Sequence, residues 1–197
     1  MGPPVAREAM TKGFAFDNVR VFARTRFGPD GWGVTLARML PADREVLGAI
    51  VSVGWYSLPL YARLIRALDE AYGAGDCAII IQSARFAAER NLGTVFRTLL
   101  RLASPAYMLE KFGQYWPRVH DTGRWELVRE GESGASATLY DLGYVDQAIC
   151  RDLGGYFART LELVGAQGVI LDHPRCRARG ADACEFRARW RTGASRV

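Results

Sequence analysis

Several features are scarce in this sequence of 197 residues, and each scarcity excludes a class of protein. The longest apolar runs, such as residues 78–81, are far shorter than the roughly 20 residues that a membrane-spanning helix needs. The N-terminal segment has no apolar core of the kind found in signal peptides, because Arg7, Glu8 and Lys12 interrupt it. We therefore expect a cytoplasmic protein without a membrane span.

Lysine is also scarce, since Lys12 and Lys111 are the only lysines among 26 basic residues. An arginine bias spread over the whole chain reflects a GC-rich coding sequence more than selection for phosphate contacts. The net charge of +5 is weak support for a nucleic-acid partner. The arginines of the C-terminal hairpin are interpreted as the solvated face of a sheet, with docking of an acidic protein or nucleic acid as the alternative. They are Arg175, Arg177, Arg179, Arg187, Arg189 and Arg191.

Sequence motifs of nucleotide-dependent and nucleophilic enzymes are missing as well. The chain has no Gly-x-Gly-x-x-Gly or Gly-x4-Gly-Lys-Ser/Thr loop and no Gly-x-Ser-x-Gly elbow. A binding function is therefore favoured over catalysis. With 49% hydrophobic and 24% charged residues, the composition is that of a folded domain and excludes disorder.

The pattern of apolar residues predicts an α+β fold. Residues 1–15 are expected to form a flexible tail and residues 16–197 a single domain. Its first half, 16–120, has helical periodicity, with Ser57-Leu58-Pro59 and Ser104-Pro105 as helix starts. Helices are predicted over 58–72, from Asp76 to about 88, over 94–102, and from Pro105 to Tyr115.

The periodicity changes in the second half, 121–191, which predicts a ββαββ unit with a four-stranded antiparallel sheet. In the last strand Cys184, Phe186, Ala188 and Trp190 alternate with charged residues, so one face of the sheet should be buried. The long helix should pack on that face. The predicted strands are 124–130, 135–142, 169–173 and 184–191, and the helix is 144–164.

Three cysteines and a histidine fall within the ββαββ unit. Cys150 lies on the long helix, and His173, Cys176 and Cys184 follow with the spacing His-x2-Cys-x7-Cys. Cysteines in a cytoplasmic chain are rarely disulfides, whereas four soft or borderline ligands around a short loop suit zinc. A full set of four would make the site structural. In the alternative interpretation Cys150 and Cys184 are core residues, His173 ends a strand and Cys176 has no special role.

The same residues carry a family resemblance. From Tyr144 to Trp190 the sequence resembles the 4-vinyl-reductase-like domain, a small-molecule-binding module related in fold to haem-nitric-oxide-binding domains and to a vesicle-tethering subunit family. In aromatic-responsive bacterial sensors of this group, a helix cysteine, an acidic residue and a Cys-x7-Cys pair bind zinc. Cys150, Cys176 and Cys184 match the cysteines, and His173 replaces the acidic residue. The resemblance implies a stand-alone bacterial member with a structural zinc ion.

The resemblance also implies a ligand pocket where the helices of the first half cover the sheet. We expect a mainly apolar cavity of roughly 300 Å³ or more, which would take a small apolar or aromatic molecule. The predicted lining residues are aromatic: Phe112, Tyr115, Trp116, Trp125, Tyr156 and Phe157. His120, the only other histidine, follows Pro117 and is expected to cap a helix or lie on the surface. The Tyr-x-Ser-x-Arg signature of haem-nitric-oxide-binding domains is absent.

Three functions remain open at this point. The first is a non-enzymatic sensor that encloses a small molecule and signals to an unidentified protein partner. The second is an interaction scaffold of the same fold, with its pocket filled by side chains or by a lipid tail. The third is a reductase-type enzyme. Homodimerisation through the helical half is a further expectation.

Overall fold

The computed structural model describes residues 8–93 and 104–192. The first of these ranges is mainly helical and contains two short strands, whereas the second contains four strands and two long helices. The elements of residues 8–93 are β1 Met10–Lys12, α1 Gly13–Phe27, α2 Gly31–Ala37, α3 Pro41–Gly48, β2 Trp55–Ser57, α4 Leu58–Tyr72 and α5 Ala78–Gly93. Those of residues 104–192 are α6 Pro105–Tyr115, β3 Arg124–Arg129, β4 Gly134–Tyr140, α7 Gln147–Leu163, β5 Ala166–Arg175 and β6 Cys184–Thr192.

Serine caps start two of these helices as the sequence predicts. The Ser57 hydroxyl accepts the Leu60 N–H at the start of α4, and the Ser104 hydroxyl accepts the Tyr107 N–H at the start of α6. Each cap is followed by a proline in the first helical turn, where the missing N–H costs no hydrogen bond. These local signals fix where both helices begin.

The second half contains the four-stranded antiparallel sheet that the sequence predicts, in the order β3-β4-β6-β5. Leu139 pairs with Cys184 and Ala137 pairs with Phe186, so their side chains share one face of the sheet. That face is buried, since Cys184, Phe186, Ala188 and Trp190 are each at most 6% exposed. The alternation in the sequence thus identifies the core face.

Helix α7 packs on this buried face next to β5, and α5 lies against its other side. Its buried residues Cys150, Leu153, Phe157 and Leu161 recur every three or four positions, which places them on one stripe. Gly155 allows α5 to come close, because a Cβ there would lie 2.8 Å from the Ile81 carbonyl oxygen. The helix therefore holds Cys150 and Phe157 against the sheet from a fixed position.

Two expectations about the first half need comment. The predicted tail through residue 15 is too long, because β1 pairs with β2 and α1 begins at Gly13. The Lys12 N–H also donates to the Val119 carbonyl, so long-range pairing overrides the weak local signal of this segment. Residues 1–7 of that tail and the helix predicted over 94–102 lie outside the described residues.

The helices of residues 8–93 and 104–192 were compared with the length and hydropathy of a membrane span. None of them is both long and apolar enough to cross a bilayer.

Candidate metal centre and aromatic cluster

The structure brings the four predicted metal ligands together. One ligand atom from each of Cys150, His173, Cys176 and Cys184 can be chosen so that all four lie within 4.8 Å of one another. We call these residues the Cys3His cluster. Helix α7 supplies Cys150, strand β5 supplies His173, and the loop between β5 and β6 begins and ends with the other two cysteines. All three cysteines are free thiols and are buried.

The spacing of the sulfur atoms suits a tetrahedral metal ion. Cys150 Sγ lies 3.7 Å from Cys176 Sγ and 3.7 Å from Cys184 Sγ. Zinc–sulfur bonds of about 2.3 Å at tetrahedral angles separate two sulfur atoms by about 3.8 Å. A disulfide would need about 2.05 Å, so the cysteines are not paired in that way. The residues present therefore fit zinc, although binding itself stays a prediction.

Hydrogen bonds within the cluster favour negative charge on sulfur. The Cys150 thiol, followed by His173 and the Arg177 N–H, lowers the pKa of Cys184 well below that of a free thiol. The Arg177 N–H lies 3.4 Å from Cys184 Sγ. Donation to Cys184 and burial raise the pKa of Cys150 in turn. A metal ion needs thiolate ligands, so this arrangement has one of them already favoured.

The loop between the two cysteines is held by its own backbone. The Cys176 carbonyl accepts the N–H groups of Arg179 at 2.9 Å and Ala181 at 3.1 Å. Gly180 has φ +91°, a left-handed conformation that glycine adopts without strain. These bonds turn the chain sharply enough to return it to Cys184. The Cys-x7-Cys spacing thus corresponds to one compact turn.

His173 connects the metal centre to the core. Its ring lies flat on Phe186, with centroids 4.4 Å apart and an interplanar angle of 5°. Its Nε2 atom is buried and has no hydrogen-bond partner among residues 8–93 and 104–192, which suits an atom reserved for a ligand. The sequence interpretation missed this role of Phe186. The signal was present, because Phe186 lies two residues after Cys184 on the same face of β6.

Most of the predicted pocket residues form a packed group of rings, which we call the aromatic cluster. The Phe112 and Phe157 centroids are 4.5 Å apart, and Trp125 lies 5.0 Å from Phe157 and 5.4 Å from Trp116. The geometry is edge-to-face, which is favourable for aromatic pairs. The members of the aromatic cluster are Phe112, Trp116, Trp125, Tyr156, Phe157 and Phe186.

Tyr115 and Tyr156 differ from the other predicted lining residues. Tyr115 is 58% exposed, and its ring contacts the Arg118 guanidinium, so its predicted place in an interior pocket is wrong. It ends α6 on the side that faces solvent. The Tyr156 ring lies 6.2 Å from Phe112, and its hydroxyl accepts a hydrogen bond of 3.4 Å from the Asn91 amide. Tyr156 thus gives the aromatic cluster one polar edge.

The expected cavity is absent from the part of the chain that the structure describes in its two best-formed clefts. Their free volumes are about 10 Å³ and 30 Å³, and no member of the aromatic cluster lines either of them. The expectation of roughly 300 Å³ is therefore wrong for this conformation. The rings occupy the space between α6, α7 and the sheet that a ligand would need.

His120 is a second correction, since it is neither a helix cap nor a surface residue. Its ring stacks on Trp116 with centroids 4.0 Å apart, and burial lowers its pKa to about 3. Its backbone pairs with Thr11 in an isolated bridge. The neutral ring therefore belongs to the contact between β1 and the second half of the chain.

Comparisons with known proteins agree with this site and fold. Residues 134–190 match the family model of the 4-vinyl-reductase-like domain, and this range contains the whole Cys3His cluster. The sequence has no significant match among curated proteins.

The fold is that of H-NOX proteins. The structure of an S. oneidensis H-NOX protein in the Fe(II)NO ligation state is 12% identical, with TM-score 0.70 over 92% of this chain and 99% of that chain. A K. algicida H-NOX protein is 13% identical, with TM-score 0.69 over 94% and 100%. A T. tengcongensis H-NOX mutant gives 10% identity and TM-score 0.66 over 93% and 99%. The chain is thus an α+β protein of H-NOX-like fold whose residues 134–190 match the 4-vinyl-reductase-like domain.

Proposed function

We propose that the chain is a non-enzymatic, cytoplasmic sensor module of bacterial type, with a structural zinc ion in the Cys3His cluster and a small aromatic ligand at the aromatic cluster. The match to the 4-vinyl-reductase-like domain and the H-NOX-like fold support a small-molecule sensor as the general class. The zinc ion and the site of the ligand are the specific parts of the proposal. A protein partner or a second copy of the chain would receive the signal.

One observation carries the ligand proposal. The indole N–H of Trp125 is buried and has no hydrogen-bond partner among the described residues. Four aromatic neighbours surround its ring, with centroids 5.0 to 5.9 Å away. A buried donor without an acceptor costs about 1–3 kcal/mol, so an acceptor that enters the aromatic cluster would regain that energy. A phenol offers both an oxygen acceptor and a ring that packs against the neighbours.

Haem does not fit the residues present, although titles of H-NOX structures refer to haem. The chain has two histidines, and His173 lies in the Cys3His cluster. His120 lies flat on Trp116, which blocks one face of its ring. The two clefts of about 10 Å³ and 30 Å³ within residues 8–93 and 104–192 are far too small for a porphyrin. We therefore propose a smaller ligand.

A thermal-shift titration with phenol tests the ligand proposal. A ligand that binds only the folded state raises the melting temperature with the logarithm of its concentration. We expect this rise in the zinc-loaded wild-type protein and its loss in Trp125→Phe, which keeps an aromatic ring but removes the N–H. Trp190→Phe is the matched control, because Trp190 is also a buried indole without a partner but packs in a separate apolar group with Leu161 and Ala166. Equal shifts in all three proteins would refute the role of Trp125.

The packed rings favour a second candidate function. An aromatic cluster filled by its own side chains matches an interaction scaffold, in which the fold presents a surface and takes no small molecule. In that case phenols and fatty acids should leave the melting temperature unchanged in wild-type protein. A pull-down that recovers a stoichiometric partner, without any thermal shift, would select the scaffold over the sensor.

A further inference from the structure

Arg177 borders the metal centre and contacts both chain segments that build it. It follows Cys176 in the turn Arg177–Arg179, and its guanidinium Nη1 donates to the Leu142 carbonyl at 2.6 Å. Leu142 lies in the connection from β4 to α7, the helix that carries Cys150. The Arg177 backbone N–H donates to Cys184 Sγ at 3.4 Å. One residue thus links the cysteine loop to the segment that leads to Cys150.

The side chain also stands where the cluster approaches solvent. A cleft of about 10 Å³ has Arg177, Cys150, Cys184 and Leu142 in its wall. Apart from this cleft the three cysteines are packed into the core, each at most 6% exposed. A chelator or a water molecule that reaches a sulfur atom from this side must pass the Arg177 side chain.

The charge of the loaded cluster makes a cation at this place favourable. Three thiolates, a neutral imidazole and Zn²⁺ sum to a net charge of −1 in a partly buried setting, where charge interactions are stronger than in water. Asp146 lines the same cleft, but it forms an ion pair with Arg66 at 2.6 Å. Arg177 is then the cation that faces the cluster across the cleft.

The other two arginines of the loop have different contacts. Arg175 forms an exposed ion pair with Asp182, and Arg179 donates to the His173 carbonyl. Neither residue lines the cleft beside Cys150 and Cys184. The three arginines, which look alike in the sequence, are therefore distinguishable in a test.

We propose that Arg177 is a positioning residue that latches the metal loop to the β4–α7 connection and retains zinc in the Cys3His cluster. The proposal rests on the proposed zinc site. The side chain acts through two features, its hydrogen bond to Leu142 and its positive charge. The conservative variant Arg177→Lys keeps the charge and a donor, whereas Arg177→Met keeps the apolar stem and loses both.

The test is the rate of zinc release to an excess of a chromophoric chelator at constant pH and ionic strength. Loss of a residue that supports metal ligands typically weakens binding by about 10- to 100-fold, so Arg177→Met should release zinc at least about tenfold faster than wild type. Arg177→Lys should stay within about threefold of wild type. Arg175→Met is the matched control and should not change the rate.

The outcomes separate this proposal from the zinc site itself. Wild-type protein that contains no zinc, and takes up none, would refute the site and the latch together. Zinc-loaded Arg177→Met that releases the metal as slowly as wild type would refute the latch alone. If Arg177→Met does not fold, Arg177→Gln replaces it, since glutamine keeps a donor without the charge. Arg177→Gln should then release zinc faster than Arg177→Lys, and equal rates would refute the role of the charge.

Discussion

The Cys3His cluster and the aromatic cluster lie on the same buried face of the sheet and meet at the stacked rings of His173 and Phe186, but they are prepared differently for a ligand. The sulfur atoms already stand 3.7 Å apart, close to the spacing that zinc needs. The rings instead contact one another and leave no comparable space. One site is preformed in the folded chain, and the other is closed.

Physical costs explain the difference between the two sites. A metal ion needs four atoms at defined positions, which backbone turns can hold without leaving a void. An aromatic ligand needs a volume of hundreds of cubic ångströms. An empty apolar cavity costs about 24 cal/mol per Å³, so about 300 Å³ would cost about 7 kcal/mol. A domain with a stability of about 5–15 kcal/mol gains by closing such a cavity with its own side chains.

Loss of the metal should be the largest effect that distinguishes the two sites. The double variant Cys176→Ser, Cys184→Ser removes two of four ligands, and structural zinc typically contributes more than about 10 kcal/mol to small domains. We expect zinc to disappear from elemental analysis and the melting temperature to fall by at least about 10 °C, or cooperative unfolding to be lost.

The matched control is Cys77→Ser, because Cys77 is half-buried before α5 and lies outside the Cys3His cluster. Its zinc content should stay near one ion per chain, as in wild type. Zinc that remains in the double variant at that level would show that other residues bind it.

The packing of the aromatic cluster gives the next largest effect. Phe157 is 4% exposed and contacts Phe112, Trp125 and Phe186, so Phe157→Ala should lower the free energy of unfolding by about 3–5 kcal/mol. Tyr115→Ala, at a position that is 58% exposed, should change it by less than about 0.5 kcal/mol. Urea unfolding of the zinc-loaded proteins measures both. A small loss for Phe157→Ala would indicate an open cavity beside this ring.

The smallest expected effect lies outside both clusters and sets a baseline for them. Glu162 on α7 accepts hydrogen bonds of 2.7 Å from Arg85 and Arg159. Burial raises the pKa of Glu162, but the two arginines outweigh it and hold the pKa below its ordinary value. Glu162→Gln should therefore cost about 0.5–1 kcal/mol at pH 7.

The pH dependence of this effect follows from the lowered pKa. The stabilisation by Glu162 is fully present above the pKa of the unfolded chain, about 4.3, and disappears as the pH falls through the lower value of the folded state. Urea unfolding of wild type and Glu162→Gln over a pH series measures the difference. A difference that grows on acidification would contradict the assigned direction of the shift.

The sequence predicts the sheet, the long helix and the metal ligands because their signals are local. Alternation in β6, the capped starts at Ser57 and Ser104, and the Cys-x7-Cys spacing each depend on a few neighbouring residues. The strand and helix boundaries of the second half agree with the structure to within about three residues at most ends, apart from the start of β5.

The wrong expectations concern long-range packing. Strand β1 has three residues and forms only because β2, more than 40 residues later, pairs with it. Aromatic residues at core spacing fit a pocket wall and a filled core equally well in the sequence, and only the ring contacts of Phe112 and Phe157 distinguish them. The stacking of His120 on Trp116 likewise depends on the folded arrangement of β1 and the chain after α6.

Native mass spectrometry of protein purified without a metal-affinity tag and incubated with phenol tests the contrast between the two sites most directly. The account predicts one zinc ion per chain in wild type and in Trp125→Phe, and a phenol adduct in wild type that Trp125→Phe lacks. The Cys176→Ser, Cys184→Ser variant should lack the zinc ion. A zinc-free wild-type chain, or a phenol adduct that is equally abundant in Trp125→Phe, would contradict the account.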